Sequence, residues 1–320
     1  MSTESYVIET ENLSKNYGDV VALDSLNLKV PKNSIFAFLG PNGAGKTTTI
    51  KLLLGLTHLT SGGAKVLGHN IVTQNDQVRR GVGYLAQQPK FYKELTARET
   101  MKFAARLYFK SPEDLMDERI AYLLKTVDLE DKADRPIEGF SGGEMQRLGI
   151  AQAQINFPEL LILDEPAAGL DPEGREKVLK IMEKLRSEST IFYSTHILDD
   201  VQRVSDRVAI LNKGNLVAQA PIEDLLGGSD GIAYTLALEG DTQRVQSKLK
   251  SESWVSSITE RTEKGQTHWV VNVTDDAIAK KQLLRIVLAD DSVNVLDYGL
   301  KQYELEEIFM KLVEDDSNDN

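Results

Sequence analysis

Gly40-Pro41-Asn42-Gly43-Ala44-Gly45-Lys46-Thr47-Thr48 matches G-x-x-x-x-G-K-[ST], the pattern of a loop that cradles polyphosphate. Its flanks fit. Ser34 to Leu39 is a short apolar run of the kind a buried parallel strand requires, and Ile50, Leu53 and Leu54 fall at helical spacing before Gly55. A strand, a glycine-rich loop and a helix leave unpaired backbone N–H groups at a positive helix terminus, where phosphate oxygens can accept them. In this pattern Lys46 reaches the β- and γ-phosphates and the Thr47 hydroxyl ligates Mg²⁺. The stretch predicts an α/β fold around a P-loop NTPase core.

The whole chain sets wider bounds. Its 320 residues are enough for one large unit and one small one. Lys and Arg number 37 against 49 Asp and Glu, a formal net charge of −12, which argues against nucleic acid as a partner. With no cysteine, neither a disulfide framework nor a thiolate metal site exists. Met1 to Tyr6 lacks the basic stretch and apolar core of a secretory signal, and no apolar run approaches the ~20 residues that cross a bilayer. A cytoplasmic protein is expected.

Residues 6 to 30 alternate apolar and polar, as in Tyr6-Val7-Ile8-Glu9, and read as an antiparallel β subdomain with Tyr17-Gly18 in a turn. The Tyr17 ring either stacks on an adenine or packs against the hairpin. Ser61-Gly62-Gly63 and Gly68-His69 mark turns. Arg79 to Ala86 reads as a second buried strand, ending at Gln87. A glutamine there can ligate Mg²⁺ and reach a nucleophilic water, although on these residues alone a solvated loop glutamine is the plainer reading. Residues 88 to 140 read as a mostly helical insertion with a capping box at Thr96-Ala97-Arg98-Glu99. Met101, Ala104, Ala105, Leu107 and Tyr108 are its expected core.

Phe140-Ser141-Gly142-Gly143-Glu144 opens a helix that continues through Ile155. It is a second helix start with free amides and no bulky side chains, able to cradle phosphate. Leu160 to Asp164 is an apolar strand closed by two adjacent carboxylates. Strand alternation puts Asp164 and Glu165 on opposite faces, one to hold Mg²⁺ through its water shell and one to face an attacking water. Carboxylates in such a place are costly without partners. A turn at Gly169-Leu170-Asp171-Pro172, a helix from about Glu173 to Arg186 and a strand from Thr190 to Thr195 follow, with His196 at the strand's end. Three strand ends thus carry polar residues at one edge, where open α/β sheets bind ligands.

This ordered set resembles the ATP-binding subunits of ABC transporters over about residues 5 to 220. By that resemblance Gly40 to Thr48 is Walker A, Gln87 is the Q-loop residue and Ser141-Gly142-Gly143-Glu144-Met145 is the signature. Leu160 to Asp164 is Walker B, followed by Glu165, the D-loop residue Asp171 and the H-loop residue His196. Gly83-Tyr84-Leu85 and Gln146 to Gln152 are similar to the ABC-2-type, drug-exporter-like branch. Ala86 departs from the usual proline before the Q-loop residue, and Ala167-Ala168 from the usual Thr-Ser pair; neither removes a catalytic atom.

The resemblance implies an ATPase that holds ATP and Mg²⁺ between Walker A of one copy and the signature of a second, in a head-to-tail dimer. Lys46, Gln87, Glu165 and His196 would be catalytic. Tyr17, the loop from Gly40 to Thr48, Ser141, Gly142, Gly143 and Asp171 would touch the nucleotide, and Thr47, Gln87 and Asp164 the metal. It further implies export through separate transmembrane permease subunits, hence a place on the inner face of the cell membrane. An importer ATPase, or a soluble relative acting on ribosomes or DNA, is the alternative. Those soluble relatives usually carry two cassettes or a long coiled coil, which this chain lacks. A permease would dock around residues 88 to 110 through Phe91, Tyr92, Leu95 and Phe109, unless these side chains bury against the insertion's own helices.

From about residue 222 the composition changes, and Gly227 to Gly231 looks like a linker. Beyond it, strand 232–238, helix 241–251, strand 255–262, a turn at Lys264-Gly265, strand 267–273, helix 275–289 and strand 293–299 give βαββαβ, the split ferredoxin-like order. A last helix from Glu304 to Val313 puts Leu305, Ile308, Phe309 and Leu312 on one face, before an acidic tail from Glu314. His268 reads as a surface or packing residue. The expected division is an ATPase unit at 1–221, with a helical subdomain at about 88–158, and an accessory α+β unit at 222–320.

Overall fold

The computed structural model describes residues 5–109, 113–226, 232–263, 266–301, 305–306 and 309–310. Its chain divides between Ile222 and Glu223. The first unit opens with strands β1 (Tyr6–Tyr17), β2 (Val20–Leu26), β3 (Lys29–Pro31) and β4 (Ile35–Leu39), then helix α1 (Lys46–Leu53). Next come β5 (Ser61–Val66), β6 (His69–Asn70), α2 (Asn75–Gly81) and β7 (Val82–Leu85). A helical stretch follows, with α3 (Ala97–Tyr108), α4 (Glu113–Thr126) and α5 (Gly142–Ala153). The chain then runs through β8 (Leu160–Asp164), α6 (Pro172–Leu185), β9 (Thr190–Thr195), α7 (Leu198–Val204), β10 (Arg207–Asn212), β11 (Asn215–Pro221) and α8 (Ile222–Leu226).

Six strands form the central sheet in the order β11-β10-β4-β9-β8-β7, parallel except for β11 at one edge. Every residue of β4, β8 and β9 is buried, as parallel strands require when both sheet faces are covered. Phe36 and Phe38 of β4 pack on Phe192 of β9 with ring centroids 5.9 and 5.3 Å apart. The register sets Leu39 beside Thr195, Asp164 beside Ser194 and Leu85 beside Leu163. The loops after β4, β7, β8 and β9 therefore leave the sheet at one edge. A second, antiparallel sheet runs β2-β1-β5-β6, with β3 also on β1.

Several local expectations are corrected. Tyr17 is the last residue of β1, paired with Val20, and the turn is Gly18-Asp19. Ser61-Gly62-Gly63 is no turn but the start of β5, paired with β1; two glycines hide the alternation that marks a strand. Arg79 to Gly81 end α2, where Asp76 in the first turn pairs with Arg79 at 3.1 Å, an i,i+3 contact that favours helix over strand. α5 stops at Ala153, short of Ile155.

In α3 the capping box at Thr96 and Glu99 is present, and Met101, Ala104 and Ala105 are buried. Leu107 and Tyr108, expected in that core, are 71% and 49% exposed. Leu107 falls off the stripe defined by 97, 101, 104 and 105, and Tyr108 ends the helix. Arg147 of α5, itself buried, donates to the carbonyls of Val127 and Asp128 at 2.6 and 2.8 Å, which caps the end of α4 and ties the two helices together.

The second unit comprises β12 (Ile232–Gly240), α9 (Gln243–Lys250), β13 (Val255–Glu263), β14 (Gln266–Val273), α10 (Asp276–Leu288) and β15 (Val293–Leu300). Its sheet order is β13-β14-β12-β15 with every neighbouring pair antiparallel, the split βαββαβ arrangement. Leu236, Leu238, Trp269 and Val271 of the sheet share one core with Leu249 of α9 and Leu283 of α10. His268 is exposed. Leu305 is buried and Phe309 half-buried, while Gly227 to Gly231, the Lys264-Gly265 turn, Ile308, Leu312 and the acidic tail lie outside the described residues. Among the described residues no helix is long and apolar enough to cross a membrane.

Candidate nucleotide site

The first cluster grows from the ends of β4, β8 and β9. After Leu39 the chain passes through Gly40, where a Cβ would sit 2.3 Å from the Leu211 carbonyl oxygen, so no side chain fits there. Gly45 is the N-cap of α1 with φ 107, a conformation strained for any L side chain. No side chain caps this helix start, so its first N–H groups stay available to an anion. Pro41, Asn42 and Gly43 are exposed at the loop crest, Ala44 is buried and Thr48 half-buried.

Lys46 is only 6% exposed. Its ammonium donates to the carbonyls of Gly40 at 2.6 Å and Pro41 at 3.2 Å, and pairs with Glu165 Oε1 at 3.2 Å. Buried charge persists only with such partners. Asp164, 1% exposed, accepts from Ser194 Oγ at 2.6 Å and from Thr47 Oγ1 at 3.3 Å. Glu165 bonds His196 Nδ1 at 2.9 Å through its other oxygen.

Asp164 and Glu165 do not take opposite faces. Glu165 has φ 50, so the chain has left the extended state where period-two alternation holds. Both carboxylates converge on the phosphate loop, Asp164 through Thr47 and Glu165 through Lys46. Ser194, which was not singled out, is what aligns them: its buried hydroxyl donates to Asp164 and accepts from the Glu165 N–H at 2.9 Å. A serine inside an apolar strand was the available signal, but its place opposite Asp164 depends on a strand register that the sequence alone does not specify.

Two expected site residues stand apart. Gln87 is exposed in the bend after β7 and joins none of these contacts. Tyr17 is half-exposed, with Lys15 Nζ 4.6 Å from its ring centroid.

Ser141, Gly142, Gly143 and Asp171 assemble elsewhere. They line a concavity of about 370 Å³ together with Glu144 and Lys177, and no phosphate-loop residue borders it. Ser141 is the N-cap of α5: its hydroxyl accepts from the Glu144 N–H at 3.3 Å, and its own N–H donates to the Glu144 carboxylate at 2.9 Å. Burial pushes the Glu144 carboxyl up, but bonds from Lys132 and the Ser141 N–H outweigh it and hold the group below its ordinary value.

Known proteins share this architecture. A family model described as ABC transporter matches residues 23–168. The chain is 35% identical over 307 residues to the ABC transporter ATP-binding protein YxlF of Bacillus subtilis, covering 96% of this chain and 99% of that protein. It is 31% identical over 312 residues, 97% of this chain and 95% of the relative, to the daunorubicin resistance ATP-binding protein DrrA2 of Streptomyces coeruleorubidus. Among solved structures, cbiO1 of Clostridium perfringens, part of the ABC transporter complex cbiONQ, aligns with a TM-score of 0.64 at 28% identity over 70% of this chain and 92% of that one. With the phosphate loop, the paired carboxylates and the Ser-Gly-Gly helix start in place, this chain belongs to the ABC transporter ATP-binding proteins and is an ATPase.

Proposed function

We propose that this chain powers an exporter, closing on ATP and Mg²⁺ as a head-to-tail pair and acting through separate transmembrane subunits on the inner face of the cell membrane. The observation that carries this reading is the division of the nucleotide-handling residues between two surfaces: Lys46, Thr47, Asp164 and Glu165 at the loop, and Ser141, Gly142, Gly143 and Asp171 at a concavity no loop residue borders. One γ-phosphate meets both when a second copy supplies the concavity. The export direction rests on the daunorubicin resistance relative, because a pump that confers resistance carries the drug outward.

The chemistry follows from the contacts. ATP oxygens take up the free N–H groups of α1, and Lys46 exchanges Glu165 for the β- and γ-phosphates. Glu165, released from Lys46 and still held by His196, orients a water and accepts its proton. The water oxygen bonds to the γ-phosphorus as the bond to the β–γ bridging oxygen breaks, leaving ADP and phosphate. Thr47 and Asp164 offer two hard oxygens 3.3 Å apart, and no group of three His, Cys, Asp or Glu among the described residues could cage a metal. That donor set suits Mg²⁺, which keeps waters and phosphate oxygens as most of its ligands and would neutralise charge on the β- and γ-oxygens. Gln87, in the bend after β7, would add its amide oxygen to that set. Tyr17 stacks on the adenine.

A groove of about 370 Å³ next to Gln87, lined by Leu56, Tyr84, Pro89, Phe91, Leu107 and Tyr108, is the proposed seat of the transmembrane subunit. Tyr92, which follows the groove residue Phe91 in the chain, is 66% exposed and stands edge-on to Phe103. Leu95 and Phe109 are half-buried, Phe109 against Phe157, and contribute less. Tagged chain recovered from detergent-solubilised membranes of its host should bring a multi-span membrane protein with it. Vesicles holding that pair should expel a hydrophobic drug when ATP is supplied. Recovery with no membrane protein overturns the transporter reading, and ATP-driven uptake overturns the direction.

A further inference from the structure

α6 and α7 begin at the two loops on which the proposed chemistry depends. α6 starts directly after Asp171, which lines the concavity, and α7 starts two residues after His196, which bonds Glu165. Neither helix start is capped by a side chain. Arg175, in the first turn and a half of α6, joins them. Its Nε donates to Asp200 Oδ1 at 2.5 Å, and its Nη2 lies 3.7 Å from Asp199 Oδ2.

Asp200 is 1% exposed. Burial pushes its carboxyl above the usual carboxylate value even with Arg175 bonded to it. A carboxyl raised in the folded state adds stability only at low pH and loses it as pH rises through the folded value, so near neutrality Asp200 works against folding. Well-packed apolar side chains would join α6 to α7 at least as firmly. A planar guanidinium supplies something else, since it donates to carboxylates only along fixed directions and so fixes the relative orientation of the two helix starts.

We infer that the Arg175–Asp200 pair is a positioning strut between the Asp171 turn and the His196–Glu165 pair, so that closure of one chain's concavity on its partner's nucleotide sets the water-side geometry of its own site. Neither residue lines the concavity, and the bonds given above tie neither to the phosphate loop. The inference rests on the head-to-tail reading above, in which Asp171 faces the second copy while His196 faces the chain's own ATP.

The test is the full-length double variant Arg175→Met/Asp200→Leu, which removes the pair without leaving a lone buried charge. Its melting temperature should equal or exceed the parent's, and its KM for ATP should stay within about twofold, since the phosphate loop is untouched. Its kcat should fall on the order of 10- to 100-fold, the effect expected of a displaced reacting geometry. Its Hill coefficient for ATP should drop to about 1, because the coupling between sites is gone. Arg175→Lys, which keeps the charge, should recover part of kcat. Parent-like kcat and Hill coefficient overturn the strut, and so does a kcat loss matched by a fall in melting temperature. If the double variant does not fold, Arg175→Met alone, which removes the guanidinium and leaves Asp200 a carboxyl that burial already biases toward its neutral form, is read by the same criteria. A Glu165→Gln parent that forms no ATP-bound dimer overturns the head-to-tail reading and the strut with it. A Glu165→Gln chain that dimerises beside a double variant that hydrolyses normally overturns the strut alone.

Discussion

The two surfaces proposed to meet the nucleotide are built in opposite ways. At the phosphate loop, Lys46, Asp164 and Glu165 are buried and each is held by at least two partners. At the concavity, Ser141, Gly142 and Asp171 are exposed, and the Ser141 hydroxyl is taken up by its own helix cap. Reactive groups need preorganisation in a dry site, where their charges act strongly. A surface that only closes over phosphate needs exposed amides and no bulk. In the proposed dimer the first surface carries one chain's reacting groups, and the second serves only against another molecule.

Glu165→Gln should break the first surface with the largest effect. Turnover should fall by about 10²- to 10⁴-fold, the range expected for loss of a general base. ATP binding should persist, since Lys46 gains freedom to meet phosphate when its carboxylate partner is neutralised. Initial rates and equilibrium dialysis measure both, and turnover within tenfold of the parent would break the assignment. Ser141→Arg tests the second surface. In the Glu165→Gln background it should abolish the ATP-induced dimer in sizing chromatography while each chain still binds one nucleotide. An unchanged dimer peak would remove the concavity from the site.

How much of this was legible in the sequence follows the same division. Patterns with local causes could be read directly: the phosphate loop, the capping box at Thr96, the helix start at Ser141, the six elements of the βαββαβ unit. What could not be read depends on partners distant in the chain. The clustering of Asp164 and Glu165 required the φ of 50 at Glu165, which an alternating strand pattern does not foresee. Ser194 mattered because the register sets it beside Asp164. Leu107 and Tyr108 had the composition of core, but burial is set by what lies opposite, and they are left on an exposed face.

That face offers a third, narrower test. Tyr92→Asp should leave melting temperature and ATPase rate of the isolated chain unchanged, because the ring is largely exposed and far in sequence from the phosphate loop. Surface changes of this kind usually alter stability by less than about 0.5 kcal/mol. Co-purification with the membrane subunit should be lost, since a charge at an apolar interface core is left unpaired. Retained co-purification would count against the groove, and a lowered melting temperature would show that the ring is packing after all.

The smallest expected effect concerns Tyr17, the proposed adenine platform. Tyr17 closes β1 beside a two-residue turn, half-exposed, with the Lys15 ammonium over its ring. A ring so placed has a face available to a base, and stacking on a base is worth about 1–3 kcal/mol in single-strand binders. Adenine does not react, so its stacking is the same in the ground state and the transition state. Loss of the ring should therefore raise KM and leave kcat alone. Tyr17→Ala is expected to raise the KM for ATP on the order of tenfold at constant kcat, the equivalent of about 1.4 kcal/mol. Tyr17→Phe should keep the parent KM, because the face and not the hydroxyl makes the contact, and GTP should be used nearly as well as ATP, because every base has such a face. If the ring instead packs against the β1–β2 hairpin, Tyr17→Ala will lower the melting temperature and leave KM unchanged.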